Sequence, residues 1–136
     1  MRRILVGLTL TLLALPAWAQ TRDENMAQCT GNDPDAAIAG CTALIQSGQE
    51  TTTPLATAYN NRAWNLHLKG QDAAALADAN TGVTLDPTAN HLETRAEIYE
   101  RLGRRDEAIA DYRASLGIDP GHQTSMDGLA RLGVTP

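Results

Sequence analysis

The sequence predicts an all-α protein, a solenoid of stacked helix–turn–helix repeats with two full repeats flanked by a half unit at each end. Three observations carry this. First, the chain repeats itself: KGQDAAALADANTGVTLDP at 69–87 returns as LGRRDEAIADYRASLGIDP at 102–120. At an offset of 33 residues Gly70 meets Gly103, Ala75 meets Ala108, Asp78 meets Asp111 and Pro87 meets Pro120. Second, apolar residues recur at helical spacing and no segment sustains strand alternation. Third, alanine is abundant and phenylalanine absent. That composition suits helices in close contact rather than a large β core.

The chain opens with MRRILVGLTLTLLALPAWAQ. Arg2 and Arg3 precede an apolar stretch, and Ala17-Trp18-Ala19 forms a small-x-small cleavage site, so residues 1–19 are expected to be a secretory signal peptide. The apolar stretch, about 12 residues, is shorter than the ~20 a spanning helix needs. The expected product starts at Gln20, lies in the periplasm or outside the cell, and is not inserted in a membrane. Without Arg2 and Arg3, nine basic side chains face 16 acidic ones, leaving a net charge of −7. An acidic surface with one lysine after the leader, Lys69, argues against nucleic acid as a partner.

Residues 20–53 are expected to form an N-terminal half unit. Asp33 or Asn32 can cap a helix over 34–47, Pro34 suits its first turn, and Gly48 its end. Ala37, Ile38, Cys41, Leu44 and Ile45 form its apolar stripe, which turns Cys41 inward. Cys29 sits in a short preceding segment, itself a candidate helix over 22–30. In an oxidising compartment the pair is expected to form a disulfide, a staple between these segments. A redox pair or metal site is the alternative, but C-x11-C lacks redox-motif spacing and no histidine lies nearby.

Residues 54–120 hold the two repeats. Thr53-Pro54 reads as a cap and first helical residue, starting a helix to 68 that carries Leu55, Tyr59, Ala63 and Leu66. Gly70 breaks it, and a helix over 72–84 carries Ala75, Leu76, Ala79 and Val83 inward before Asp86-Pro87 stops it. The second pair spans 89–102 and 105–117, broken at Gly103 and ended by Asp119-Pro120. Residues 121–136 hold a last helix, about 122–132, with Met126, Leu129 and Leu132. Lacking a partner helix, it is expected to cap the stack.

This pattern resembles the tetratricopeptide repeat, a two-helix unit of about 34 residues. In 89–120, Ala96, Tyr99, Gly103, Ala108, Tyr112, Ser115 and Pro120 fall on the family's small, aromatic and turn positions. In 56–87, Tyr59, Ala63, Gly70, Ala75, Gly82 and Pro87 do so, while Leu66 and Ala79 stand where rings are preferred. Arg62 and Arg95 both replace a usual leucine. The helix over 34–47 resembles a second helix without its first. The chain also resembles small secreted bacterial repeat proteins that open with two cysteines.

The resemblance implies non-catalytic binding of a protein or peptide in a concave groove lined by the first helix of each unit. Carried over, the groove shows Asn60, Trp64 and His67 from one unit and Glu93, Glu97 and Glu100 from the next. Trp64 is the expected anchor, with packing against the disulfide region as its alternative role. Family members that clamp a C-terminal carboxylate use lysine, arginine and asparagine there. Glutamates instead favour a basic or polar segment. A structural subunit self-assembling through repeat edges, a homo-oligomer, is the other reading.

No residues point to an enzyme, a cofactor or a metal. His67, His91 and His122 recur irregularly, and His67 reads as a helix-end surface residue. Ser47, Ser115 and Ser125 lie in no nucleophile motif, and no glycine-rich phosphate loop is present. Glu93, Glu97 and Arg101, at i, i+4, i+8, read as a solvated helix face.

Overall fold

The computed structural model describes residues 20–135, so the expected signal peptide lies outside the described residues. Among them the chain is all helical: α1 (Arg22–Cys29), α2 (Pro34–Ser47), α3 (Thr52–Leu68), α4 (Asp72–Leu85), α5 (Ala89–Arg101), α6 (Arg105–Ile118) and α7 (Gln123–Arg131). Each packs chiefly on its neighbours in sequence, the arrangement of a helical repeat solenoid. None of the described helices is long and apolar enough to cross a membrane.

Local chemistry sets the helix ends. Thr21 and Glu24 form a reciprocal capping box on α1, Asp33 caps α2 through the Ala36 amide, and Thr88 caps α5 through the His91 amide. Gly70 and Gly103 have φ of 73° and 72°, in the left-handed region that glycine enters without steric cost. That conformation reverses the chain between α3 and α4 and between α5 and α6. One boundary differs from the sequence reading. Thr51, not Thr53, is the N-cap of α3, which begins two residues early. Pro54 fits there because amides of a first helical turn have no intrahelical acceptor.

The core is a row of small clusters. Cys29, Cys41, Leu44 and Ala58 join the first pair to α3. Ala63, Ala75, Ala79 and Ile98 join the second pair to α5. Ala96, Tyr99, Ala108, Tyr112 and Leu129 join the third pair to α7. Cys29 and Cys41 are joined as a disulfide between α1 and α2. Small residues let the helices approach. A Cβ on Gly40 would lie 2.5 Å from the Asn25 carbonyl oxygen of α1, and one on Gly128 would lie 2.4 Å from the Tyr112 ring.

The two arginines that replace leucine form equivalent ion pairs. Arg62 donates to both carboxylate oxygens of Asp78 at 2.6 and 2.8 Å, and Arg95 to both of Asp111 at the same distances. The remaining guanidinium nitrogen of each reaches back to the preceding unit, Arg62 to Thr42 Oγ1 and Arg95 to Asn80 Oδ1. Each arginine therefore ties three helices. The hydrogen bonds to Asp78 and Asp111 hold both guanidinium pKa values above the ordinary range.

Candidate functional site

The C-terminal halves of α3 and α5, with α7 and the turn after α1, frame two small clefts. The first, about 310 Å³, is bounded by Asn61, Trp64, Asn65 and Leu68 of α3 and by the turn from Cys29 to Asn32. The second, about 340 Å³, is lined by His67 of α3, Glu97, Glu100 and Arg101 of α5, and Arg131 of α7. Trp64 and His67 stand side by side between them, ring centroids 5.6 Å apart and tilted by 40°.

Trp64 is half-buried, with one wall of its cleft formed by the disulfide turn. Trp64 therefore packs beside the disulfide region, the second of the two roles expected for it. Leu68, one turn on, is 54% exposed. His67 corrects an expectation: rather than lying on the surface it is buried, with Nδ1 2.6 Å from an Asp72 carboxylate oxygen. The Gly70 turn brings the start of α4 back under the end of α3, which places Asp72 there. The His67–Asp72 contact fixes the imidazole, and the imidazole in turn flanks the Trp64 ring.

The glutamates do not form the simple solvated face expected of them. Glu100 accepts from Arg131 at 2.9 Å and from the Tyr112 hydroxyl, and Arg131 also donates to that hydroxyl at 3.2 Å. Glu97 lies 3.7 Å from Arg131. Glu93 and Glu97 are one helical turn apart on α5. Burial, then the neighbouring Glu97 charge, pushes the Glu93 pKa up to about 7. Burial, then the Glu100 hydrogen bond, raises that of Tyr112. One guanidinium therefore serves two carboxylates, Glu97 and Glu100.

Asn60 lines neither cleft. It is half-buried beside Gly82 of α4, and its amide oxygen has no hydrogen-bond partner. Trp64 and His67 are brought together, as are Glu97 and Glu100, while Glu93, one turn back on α5, lines neither cleft. Asn61, Asn65, Leu68, Arg101 and Arg131 complete the clefts and escaped the sequence reading. Spacing could have found the first three, since Asn61 and Leu68 lie three and four residues from Trp64 and Asn65 lies four from Asn61. Nothing local marks Arg131, which enters from a helix without a counterpart in the repeat. Among the described residues no group of three or more His, Cys, Asp or Glu is placed to hold a metal ion.

Residues 92–122 match the family model of the tetratricopeptide repeat. Sperm-associated antigen 1 of Homo sapiens is 33% identical over 90 residues, covering 65% of this chain and 10% of that protein. Sperm-associated antigen 1A of Danio rerio is 33% identical over 97 residues, covering 71% and 22%. Protein unc-45 homolog B of Danio rerio is 28% identical over 116 residues, covering 84% and 12%. The chain thus spans between about a tenth and a fifth of the length of these relatives. Among solved structures, the Arabidopsis OM64 TPR domain is similar, with a TM-score of 0.71 and 25% identity over 82% of this chain and 90% of that one. The fold is that of a tetratricopeptide-type solenoid, a scaffold that generally mediates protein–protein interaction and is typically non-catalytic.

Proposed function

We propose that this chain is a non-catalytic protein-binding module of the bacterial cell envelope, which takes a basic or polar segment of a partner across α3, α5 and α7. The observation that carries this reading is the juxtaposition of two open clefts around the Trp64–His67 pair, one holding Trp64 and Leu68 among amide groups, the other lined by Glu97, Glu100, Arg101 and Arg131. Aromatic anchors flanked by polar groups are what protein interfaces use. Export is supported by the leader-like residues 1–19 and by the cysteine pairing, which suits an oxidising compartment.

The test is capture from an envelope extract by the immobilised chain and by a Glu93→Gln/Glu97→Gln variant. Neutralisation removes two charges without creating an unpaired buried one, so the variant should remain folded by circular dichroism. A bound protein recovered at least about fivefold less by the variant supports the reading. Equal recovery by both would remove the carboxylate row from it.

A further inference from the structure

Resting on the protein-binding reading, we propose that the cleft between His67, α5 and α7 is a carboxamide site. It takes the side chain of an asparagine or glutamine of the partner, with the amide nitrogen on His67 Nε2 and Glu97 and the carbonyl on Arg101.

The His67 side chain is nine-tenths buried, yet it lines an open cleft. Its Nδ1 is occupied by Asp72 at 2.6 Å. An ionised carboxylate only accepts, so Nδ1 carries the proton there and Nε2 of the neutral ring is left with a lone pair. Nε2 has no hydrogen-bond partner among the described residues, and unlike the Asn60 amide oxygen it keeps access to solvent. Asp72, brought under α3 by the Gly70 turn, therefore fixes one open acceptor in the wall of the cleft. Buried polar groups find partners, and the partner this one lacks is a donor from outside. The acceptor is held before binding, so little conformational entropy is lost in using it.

The rest of the lining selects the donor. Glu97, Glu100, Arg101 and Arg131 bring two negative and two positive charges, so their charges balance. Glu100 and Arg131 satisfy each other at 2.9 Å and share the Tyr112 hydroxyl. Glu97 reaches no cation closer than Arg131 at 3.7 Å, and the exposed Arg101 forms no ion pair among the described residues. Two acceptors, Nε2 and Glu97, and one donor group, Arg101, are left open. A partner's ammonium would bring a like charge to Arg101, and a carboxylate would bring one to Glu97. A primary carboxamide is neutral and offers two N–H donors and one carbonyl acceptor, the complement of that set. The cleft volume of about 340 Å³ lies at the lower end of ligand-pocket volumes and suits one side chain.

Selection of random peptides displayed on phage against the immobilised full chain tests this, with binding of synthetic copies measured by calorimetry. The expected winners share an asparagine or glutamine. Replacing that residue in the peptide by the isosteric aspartate or glutamate, or by leucine, should weaken binding at least about tenfold, since each leaves a group of the cleft unmatched. His67→Phe keeps a ring beside Trp64, removes the acceptor and should weaken the winners about tenfold. It also leaves Asp72 without its partner, so Arg101→Ala, at an exposed position, gives an independent reading and should cost a similar factor. Winners whose asparagine or glutamine is replaced without loss, or that carry a lysine, arginine or carboxylate in its place, would overturn the inference and leave the protein-binding reading standing. Winners bound as tightly by Arg101→Ala and by a folded His67→Phe as by wild type would also overturn it. No enrichment on a chain that circular dichroism shows to be folded would remove both.

Discussion

Glu93 is the side chain whose environment departs furthest from what its position suggests. In sequence it is one of three glutamates on a charged helix. In the fold it is half-buried one helical turn from Glu97, while Arg131 is drawn toward Glu100. Its pKa is raised, so the folded state binds more protons than the unfolded chain between about pH 4.5 and 7. Its contribution is present in full below that window and is lost as pH rises through it. Glu24 and Glu107, whose pKa values are lowered by hydrogen bonds to Thr21 and Arg104, act in the opposite direction and lose their contribution in acid. Urea denaturation as a function of pH separates the two windows. Wild type should lose stability between pH 5 and 8, and Glu93→Gln should flatten that slope. At pH 8 the variant should be more stable by on the order of 1–2 kcal/mol. A slope unchanged by the substitution would mean that Glu93 ionises as an ordinary exposed carboxylate.

At the scale of helices, the arginine–aspartate pairs do what a leucine in the same place does not: they set register across three helices. Arg95 of α5 binds Asp111 of α6 and also Asn80 of α4, and Arg62 repeats the pattern one unit earlier. In the first unit Gly40 of α2 stands where Asp78 and Asp111 stand later, and its missing side chain lets α1 approach directly. Arg95→Leu should destabilise the fold by about 2 kcal/mol, below the 3–5 kcal/mol for a fully buried pair because the guanidinium is 20% exposed. Adding Asp111→Ala should restore most of the loss, since no unpaired carboxylate then remains. Chemical denaturation of the three variants measures both, and a double variant as unstable as the sum of the singles would show the pair to be uncoupled. The helices themselves were legible in sequence, because spacing, proline and glycine are local signals. The arginine replacements were legible as an anomaly, and Asp78 and Asp111 as repeat landmarks, but their pairing spans 16 residues and needs the fold. His67 was misread for the same reason: its partner Asp72 lies across the Gly70 turn. Arg131 joins the site from α7, outside the repeat, where periodicity carries no information.

For the molecule as a whole, the ends of the stack matter most. A repeat array is stabilised by contacts between neighbours, and about three units are usually needed. Here α7 closes one end through Leu129 and the Gly128–Tyr112 contact. The other end depends on α1, eight residues long, well under the ~12–15 at which an isolated helix becomes even marginal. The disulfide compensates by tethering α1 to α2, and closing a loop of this length stabilises by about 3 kcal/mol on the chain-entropy model. Reduction should therefore act unevenly. Hydrogen exchange measured with and without reductant should accelerate first in α1 and α2, while α5 and α6 stay protected until global unfolding. The turn from Cys29 to Asn32 walls the Trp64 cleft, so reduction should also weaken partner capture before it unfolds the domain. Uniform acceleration along the chain would instead show a single cooperative unit, in which the staple supports every helix equally. Loss of protection confined to the N-terminal pair would place the disulfide at the boundary between stability and recognition, beside the Trp64 cleft it walls.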